Sequence, residues 1–506
     1  MLLDDAIREG HGPRLALQGE DGALSYAQLR DAADRIAGVL TRQLGLVPGN
    51  RVLLRGFNEP LLAAAWLAVV KAGGIVVTTM PMLRANELAA ILEKGQVQFA
   101  LCEHTLLAAL RDAARQVGGR CQILGYGDGE LEGRMAREAG SFEAVATAAD
   151  DVCLLAFTSG TTGAPKATAH FHRDVLAMAD VVGRHLLDTQ PDDRYLGSPP
   201  LGFTFGLGAL LVFPLRFRAA AILVGAPKPA VLLEAIQLWG ATCLFTAPTM
   251  YRALAPLVAQ YELRSLRRCV SAGEPLPRPT FDLWEKATGL RLIDGLGATE
   301  MTHIFIGAAG DAIRPGATGR ALPGYTACVL DEQNRPLPPG STGRLAVKGP
   351  TGCRYLDDER QRTYVVDGWN VTGDRYRVDA DGYFWFVARA DDMIVSAGYN
   401  IAGPEVEAAL MMHPAVAECA VVGAPDPSRG QVVKAFIVLH AGHAAGAELA
   451  RELQEFVKST IAPYKYPRQV EFVPSLPKTQ TGKVQRYVLR RQDEERTGQS
   501  DPGAAC

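Results

Sequence analysis

A loop rich in glycine and hydroxyl residues occupies the segment "LLAFTSGTTGAPK" at 154–166, directly after an apolar run. The glycines permit close approach of the backbone, the hydroxyls supply hydrogen-bond donors and Lys166 adds a positive charge, a combination that suits a polyphosphate. Gly160 and Gly163 are three residues apart and Lys166 follows three later, after a proline, so the loop is not a Walker motif. By itself the same composition also fits an ordinary surface turn.

Four further polar segments follow along the chain. They read "DGLGATE" at 294–300, "TGD" at 372–374, "ARADDMIVSAG" at 388–398 and "PKTQTGKVQR" at 477–486. Taken singly, each has a structural explanation: the start of a helix, a turn, a connection between domains and a solvated lysine. Only the combination of all five segments therefore indicates a particular reaction.

Together and in this order, the five segments resemble the acyl-adenylate-forming ligase superfamily over nearly the whole chain. Within it, "DGLGATEMTHIFI" and "GDAIRPGATGRALPGY" are similar to the benzoate–CoA ligase group, and "HFHRD" with "SPPLGFTFGLG" to its 2-aminobenzoate (anthranilate) branch. The resemblance implies that a carboxylate attacks the α-phosphorus of ATP with loss of pyrophosphate, and that the thiol of coenzyme A then captures the acyl adenylate. ATP and coenzyme A are the implied co-substrates, an aryl carboxylic acid is the implied substrate and Mg²⁺ is the implied metal.

The resemblance also assigns the residues that bind the nucleotide. The loop would hold the β- and γ-phosphates, Thr299 would bond the α-phosphate and Glu300 would bind Mg²⁺, which prefers carboxylate oxygen. Asp374 would accept both ribose hydroxyls, with Arg389 beside it. Many relatives stack an aromatic residue on adenine where this chain has Leu296. The implied ATP-binding set is Thr158, Ser159, Gly160, Thr161, Thr162, Gly163, Lys166, Gly273, Glu274, Asp294, Gly295, Leu296, Gly297, Asp374 and Arg389.

A lysine near the C-terminus, Lys483, completes the implied catalytic set with Thr299 and Glu300. In the superfamily it reaches the carboxylate and the α-phosphate during adenylation, where its charge counts most in a water-poor site. The small domain then turns to present another face to the thiol. By resemblance Asp391 is the hinge residue, and Gly398 and Tyr399 border the path of coenzyme A.

The acid pocket is expected in the segment "GFTFGLG" and in residues that neighbour it by resemblance. Aromatic walls suit a flat aryl acid. The stretch from Phe203 to Gly206 contains no carboxylate, so the α-ammonium of an amino acid would have no partner there. The implied acid-binding set is Phe203, Thr204, Phe205, Phe213, Ala272, His303 and Ile304.

Two other functions remain open from the sequence. One is a free-standing adenylating enzyme that loads an acyl-carrier protein instead of coenzyme A. The other is a nucleotide-binding protein without catalysis, against which the joint presence of Glu300, Asp374 and Lys483 argues. The ring substituent of the acid and the oligomeric state, including a homodimer, are likewise open.

Alternating helices and strands must position these residues. The segment 25–44 combines a Ser-x-x-Gln capping box with apolar residues at helical spacing, which predicts a helix. After it, predicted strands alternate with predicted helices at 51–56, 61–73, 74–80, 85–95 and 97–103. This order predicts a parallel sheet. Short strands broken by glycine and proline at 316–350 predict an antiparallel or barrel-like unit.

The connection at 387–414 runs from a strand through charged residues and glycine into a new helix, and we predict the domain junction there. Residues 1–389 would form the N-terminal domain that binds ATP and the acid, and residues 390–506 a mobile C-terminal domain that carries Lys483. The predicted fold class is α/β: a large N-terminal domain of two parallel-sheet subdomains plus a small β-barrel-like subdomain, followed by a small α/β domain.

The composition is that of a globular protein of ordinary charge. Of 506 residues, 48% are hydrophobic and 21% charged, and the net charge of −3 gives no reason to expect nucleic acid or an anionic membrane as a partner. Nine cysteines without a Cys-x-x-Cys pair predict reduced thiols. The apolar run at 61–70 is shorter than the ~20 residues that span a bilayer, and the first residues lack a secretion pattern. We therefore expect a cytoplasmic protein.

Overall fold

The computed structural model describes residues 2–158, 165–389, 392–396, 399–426, 429–479 and 483–497. In these ranges the strands form four sheets, of six, nine, five and five strands. No helix of this part of the chain is long and apolar enough to cross a membrane.

The six-stranded sheet confirms the alternation predicted for the first part of the chain. Its strands lie in the order Gln122–Tyr126, Phe99–Glu103, Arg51–Arg55, Ile75–Thr79, Val152–Thr158 and Lys166–Phe171. The first five are parallel, whereas the last pairs antiparallel with its neighbour. In that hairpin Thr158 stands opposite Lys166, so the two ends of the glycine-rich loop meet.

The nine-stranded sheet contains the strands that lead into the other motifs. Their order is Arg320–Ala321, Ile304–Gly307, Leu292–Gly297, Arg268–Ala272, Cys243–Thr246, Arg194–Gly197, Ala220–Ile222, Leu15–Gly19 and Gly22–Ser25. The six strands from Leu292–Gly297 to Leu15–Gly19 are parallel. Since the carboxyl ends of parallel strands share one edge, the segments after the neighbouring strands Leu292–Gly297 and Arg268–Ala272 lie together there.

Helices pack around these sheets, and the predicted helix after Ser25 is confirmed. The Ser25 hydroxyl accepts a hydrogen bond from the Gln28 amide at 3.2 Å, and the Gln28 side chain accepts one from the Ser25 amide at 2.8 Å. The α-helices up to residue 389 are Asp4–Arg8, Tyr26–Gly38, Pro60–Lys71, Ala85–Lys94, Leu107–Gln116, Glu130–Met135, His172–Met178, Thr204–Leu207, Phe213–Arg216, Pro229–Trp239, Pro248–Leu254, Arg278–Thr288 and Gln361–Tyr364. Wider π-helical turns continue three of them at Val39–Gln43, Ala179–Leu186 and Gly208–Val212.

An antiparallel sheet follows, in the region for which short strands were predicted. Its strands are Thr326–Leu330, Thr342–Lys348, Trp369–Val378 and Val365–Val366, with Phe384–Arg389 also paired to Trp369–Val378. The pairing sets Asp374 opposite Arg389. The α/β class with two parallel-sheet units is thus confirmed.

The last sheet belongs to the C-terminal part of the chain and has its own apolar core. Its strands are Tyr399–Ala402, Met393–Ser396, Gly430–Leu439 and Val416–Asp426, with Gln469–Phe472 parallel to Gly430–Leu439. The helices Gly403–Leu410, Ala447–Thr460 and Arg486–Thr497 accompany it. Ile394, Val406 and Leu453 are buried in a core cluster separate from that of the large parallel sheets.

Two polar contacts join the six-stranded sheet to the segment before Phe203. The buried Asn58 donates to the Pro199 carbonyl at 3.0 Å and accepts from the Leu201 amide at 2.7 Å. A Cβ atom on Gly202 would lie 2.3 Å from the Thr79 carbonyl oxygen, so only glycine fits against that strand. The first sheet therefore fixes where the predicted acid-binding segment begins.

This contact predicts the behaviour of Asn58→Ala. The loss leaves a buried amide and a buried carbonyl without partners, which should lower the free energy of unfolding by about 2 kcal/mol. Because the segment that starts at Pro199 would shift, we expect the KM for the acid to rise several-fold while the KM for ATP changes little.

Urea unfolding and steady-state kinetics measure both effects. Asn58→Asp is the comparison variant: it keeps an acceptor for Leu201 but sets a carboxylate oxygen against the Pro199 carbonyl, so the free energy of unfolding should fall at least as far. A folded Asn58→Ala protein with an unchanged KM for the acid would show that Asn58 does not position this segment.

Candidate active site

Two motif segments lie side by side at the carboxyl edge of the nine-stranded sheet. Ala272 ends the strand Arg268–Ala272 and pairs in register with Gly295 of the neighbouring strand. The next residue, Gly273, has φ +90°, a left-handed conformation that disfavours other residue types. The chain then turns into Glu274, while the neighbouring strand runs on to the Thr299–Met301 turn.

Glu300 is held by a tyrosine that the sequence analysis did not single out. The Tyr355 hydroxyl donates to Glu300 Oε1 at 2.5 Å. The Lys166 ammonium lies 5.3 Å from the centre of the Tyr355 ring. Tyr355 therefore links the end of the glycine-rich loop to the predicted metal ligand. The remaining loop residues of the predicted set lie outside the described residues: Ser159, Gly160, Thr161, Thr162 and Gly163.

The turn that carries Thr299 and Glu300 is supported from beneath by a buried histidine. Thr302 has φ +70°, which is unusual for a β-branched residue. Its hydroxyl lies 3.2 Å from His170 Nδ1, and the Thr351 hydroxyl donates to the Met301 carbonyl at 2.8 Å. Burial lowers the pKa of His170 to about 4, so this ring is neutral at physiological pH.

Asp374 and Arg389, predicted to hold the ribose, are adjacent. Arg389 Nη1 lies 3.5 Å from Asp374 Oδ1, and the Thr372 hydroxyl donates to Asp374 Oδ2 at 2.9 Å. Only 9% of Asp374 is exposed. The threonine of the "TGD" segment thus orients its aspartate, a role that the sequence alone does not reveal.

Lys483 reaches this site although it lies far along the chain. The Thr479 hydroxyl accepts a hydrogen bond from the Lys483 amide at 3.0 Å. The Lys483 ammonium lies 5.9 Å from the centre of the Phe203 ring. Burial lowers the pKa of Lys483, and three carboxylates oppose that shift: Glu274, Asp374 and Glu300. The structure therefore brings together the three predicted catalytic residues and part of both binding sets.

Two carboxyl groups of the predicted ATP-binding set have raised pKa values. Burial raises the pKa of Glu274 to about 7, and the charge of Lys483 opposes the shift. Burial likewise raises the pKa of Asp294 to about 7, against a hydrogen bond from the Thr318 side chain. Both groups lie in a poorly hydrated part of the site, where charges interact strongly.

The predicted acid-binding residues form an aromatic cluster around His303. The centre of its ring lies 5.5 Å from that of Phe205 and 4.6 Å from that of Phe213. His303 Nε2 lies 3.2 Å from the Phe205 carbonyl oxygen. A Cβ atom on Gly208 would lie 2.5 Å from His303 Cδ2, so the glycine makes room for the ring. Three other members of the predicted acid-binding set are also buried: Ala272, Ile304 and Thr204.

The predicted hinge and coenzyme A residues are less fully described. Asp391 and Gly398 lie outside the described residues, and Tyr399 begins the strand Tyr399–Ala402. Beside the predicted hinge, Arg490 donates to Asp392 Oδ1 at 2.7 Å.

Comparisons with known proteins identify the family. The AMP-binding enzyme family matches residues 4–354, and the AMP-binding enzyme C-terminal domain family matches residues 405–483. The chain is 33% identical to the benzoate–CoA ligase of Thauera aromatica over 97% of its own length and 94% of that protein. It is 35% identical to the mitochondrial acyl-coenzyme A synthetase ACSM3 of Homo sapiens, over 94% of its own length and 84% of that protein.

A solved structure gives the same result. The anthranilate CoA ligase AuaEII in complex with anthranoyl-AMP matches with a TM-score of 0.93 at 32% identity, covering 98% of this chain and 97% of that one. The chain therefore belongs to the AMP-binding enzymes, the acyl-adenylate-forming superfamily that its motifs resemble. Its class, an ATP-dependent, AMP-forming acid–CoA ligase, is confirmed.

The position of Lys483 predicts separate effects on the two half-reactions. Lys483→Ala removes the positive charge beside the reacting anions, so the release of pyrophosphate should fall by about 10²–10³-fold. Conversion of supplied acyl adenylate to the thioester should remain close to the wild-type rate, because that step does not need this charge.

Pyrophosphate release and thioester formation are assayed separately for this comparison. Lys478→Ala is the matched control, since the Lys478 ammonium is paired with Glu418 at 2.8 Å instead. Equal losses in both half-reactions of Lys483→Ala would contradict the division of labour.

Proposed function

We propose that this enzyme is an aryl–CoA ligase that activates 2-aminobenzoate or benzoate with ATP and transfers the acyl group to coenzyme A. The observation that carries the proposal is that Lys483 lies beside one aromatic residue of the predicted acid-binding segment, while two others surround His303. The ammonium lies near Phe203, and Phe205 and Phe213 pack around the neutral His303. Such walls suit a flat ring whose carboxylate points to the lysine.

In the proposed adenylation step, charge is the main obstacle, because a carboxylate must approach a triphosphate. Lys483 lies between the acid and the α-phosphate and reduces their repulsion, while Thr299 hydrogen-bonds the α-phosphate. Lys166 attracts the pyrophosphate that leaves. Asp374 and Arg389 orient the ribose, and Leu296 packs on the adenine. These roles rest on the superfamily resemblance and on the geometry described above.

Mg²⁺ is proposed to bind with the nucleotide at Glu300. The donor set fits this ion, since Mg²⁺ is commonly held by one or two carboxylates together with substrate phosphates and water. Among the described residues no group of three His, Cys, Asp or Glu side chains is placed to hold a metal without the nucleotide. When bound, the ion supplies positive charge at the phosphates, and Tyr355 fixes the carboxylate that faces it.

For the second step, we propose that residues 390–506 turn about Asp391 and present Gly398 and Tyr399 to the pantetheine arm of coenzyme A. The separate apolar core of the C-terminal sheet supports such an independent unit. An acyl-carrier protein remains the alternative acceptor, and a comparison of both thiols in the thioester assay distinguishes the two.

The aryl pocket predicts which acids are used. We expect turnover of benzoate and 2-aminobenzoate, and rejection of phenylalanine and decanoate. The segment from Phe203 to Gly206 contains no acidic residue for an aliphatic ammonium, whose burial without a partner costs several kcal/mol. The amino group of 2-aminobenzoate is uncharged, so its burial does not carry this free-energy cost.

The measurement is kcat/KM for each acid, from ATP-dependent pyrophosphate release with and without coenzyme A. Values for benzoate at least about tenfold above those for decanoate and phenylalanine are expected, since each 1.4 kcal/mol is a factor of ten. A higher value for decanoate or phenylalanine would overturn the aryl pocket.

A further inference from the structure

One nitrogen of His303 has no hydrogen-bond partner although the side chain is deeply buried. The residue is 3% exposed. Its Nε2 lies 3.2 Å from the Phe205 carbonyl oxygen, while no group of the described chain forms a hydrogen bond with its Nδ1. Buried polar atoms are nearly always paired, so an orphan of this kind requires an explanation.

The hydrogen bond at Nε2 decides which nitrogen carries the proton. A carbonyl oxygen can only accept, so the hydrogen must be on Nε2. Burial lowers the pKa of His303 to about 4, and the ring therefore holds a single proton at neutral pH. Nδ1 is then an unprotonated acceptor, and it lacks a donor.

The packing around the ring keeps this tautomer and orientation. Phe213 meets the ring edge-on, and the Cδ2 edge of the ring lies over Gly208, where a side chain would clash. Exchange of the two ring edges would place Cε1 where Nε2 stands and so lose the hydrogen bond to the Phe205 carbonyl. The acceptor is thus fixed in place before any ligand binds.

The position of His303 relative to the reacting end of the acid indicates what could supply the missing donor. His303 lies four residues after Thr299, across a tight turn in which its amide donates to the Met301 carbonyl at 2.9 Å. The carboxylate of a bound acid would lie between Thr299 and Lys483. In this proposed pose, the ring position next to the carboxylate is the one that faces His303.

We propose that His303 Nδ1 accepts a hydrogen bond from an N–H group ortho to the carboxylate, and so makes the enzyme selective for 2-aminobenzoates over other aryl acids. The inference rests on the proposed aryl–CoA ligase function. An ortho amino group has two N–H bonds. One bonds the substrate's own carboxylate, and the second remains for His303.

The test compares two acids of nearly the same shape. 2-Aminobenzoate and 2-methylbenzoate differ in the donor and little in volume. One net hydrogen bond is worth about 1 kcal/mol, so we expect kcat/KM to favour 2-aminobenzoate by about fivefold or more in the wild-type enzyme. Equal values for the two acids would overturn the proposal while leaving an aryl–CoA ligase intact.

Two substitutions of His303 test whether the preference for 2-aminobenzoate depends on Nδ1. His303→Gln keeps a donor that reaches the Phe205 carbonyl and has no acceptor at Nδ1, so the ratio of the two kcat/KM values should fall to about one, whatever the change in their absolute size. His303→Asn restores an amide oxygen near Nδ1 and should recover part of the preference. A His303→Gln enzyme with an undiminished preference would overturn the proposal.

A measurement on the wild-type protein covers the case in which a variant fails to fold. With ¹⁵N-labelled histidine, the resonance of the unprotonated Nδ1 should move upfield on addition of 2-aminobenzoate with ATP, and stay in place with 2-methylbenzoate. The same shift with both acids would overturn the proposal. Absence of turnover with every aryl acid would instead refute the proposed function.

Discussion

Repulsion between two anions is the constraint on which the arrangement of this enzyme depends. A carboxylate and a triphosphate meet only where positive charge is concentrated and water is reduced. In the proposed function Lys483 supplies that charge. Its burial lowers its pKa, and the carboxylates of Glu274, Asp374 and Glu300 oppose that shift. The raised pKa of Glu274 reflects the same poorly hydrated environment.

The sheets serve to assemble this environment. Parallel strands deliver the segments around Gly273 and Thr299 to one edge, and the antiparallel sheet brings Asp374 beside Arg389. Contacts between units then set the fine geometry: Asn58 anchors the start of the acid-binding segment, and Tyr355 connects the glycine-rich loop to Glu300. Lys483, the predicted catalytic lysine, comes from the C-terminal part of the chain.

In the aromatic cluster around His303, packing fixes the orientation of a polar group, which is the basis of the proposed selectivity. If both ring nitrogens of His303 had hydrogen-bond partners, the residue would be an ordinary buried histidine. The Phe205 carbonyl accepts a hydrogen bond from Nε2, and Gly208 and Phe213 fix the orientation of the ring. Nδ1 therefore remains an acceptor without a donor among the described residues. A single glycine thus determines the orientation of a polar group in an otherwise apolar wall.

The sequence by itself determined the α/β class, the alternation of the first sheet and the capped helix after Ser25, because these depend on local spacing, and its motifs read in order indicated the family. It did not reveal Tyr355, His170 or Asn58, whose partners are 55, 132 and over 140 positions away. Nor did it fix the tautomer of His303 or the pKa of Glu274. Those properties arise from burial and from neighbours that only the folded chain brings into contact.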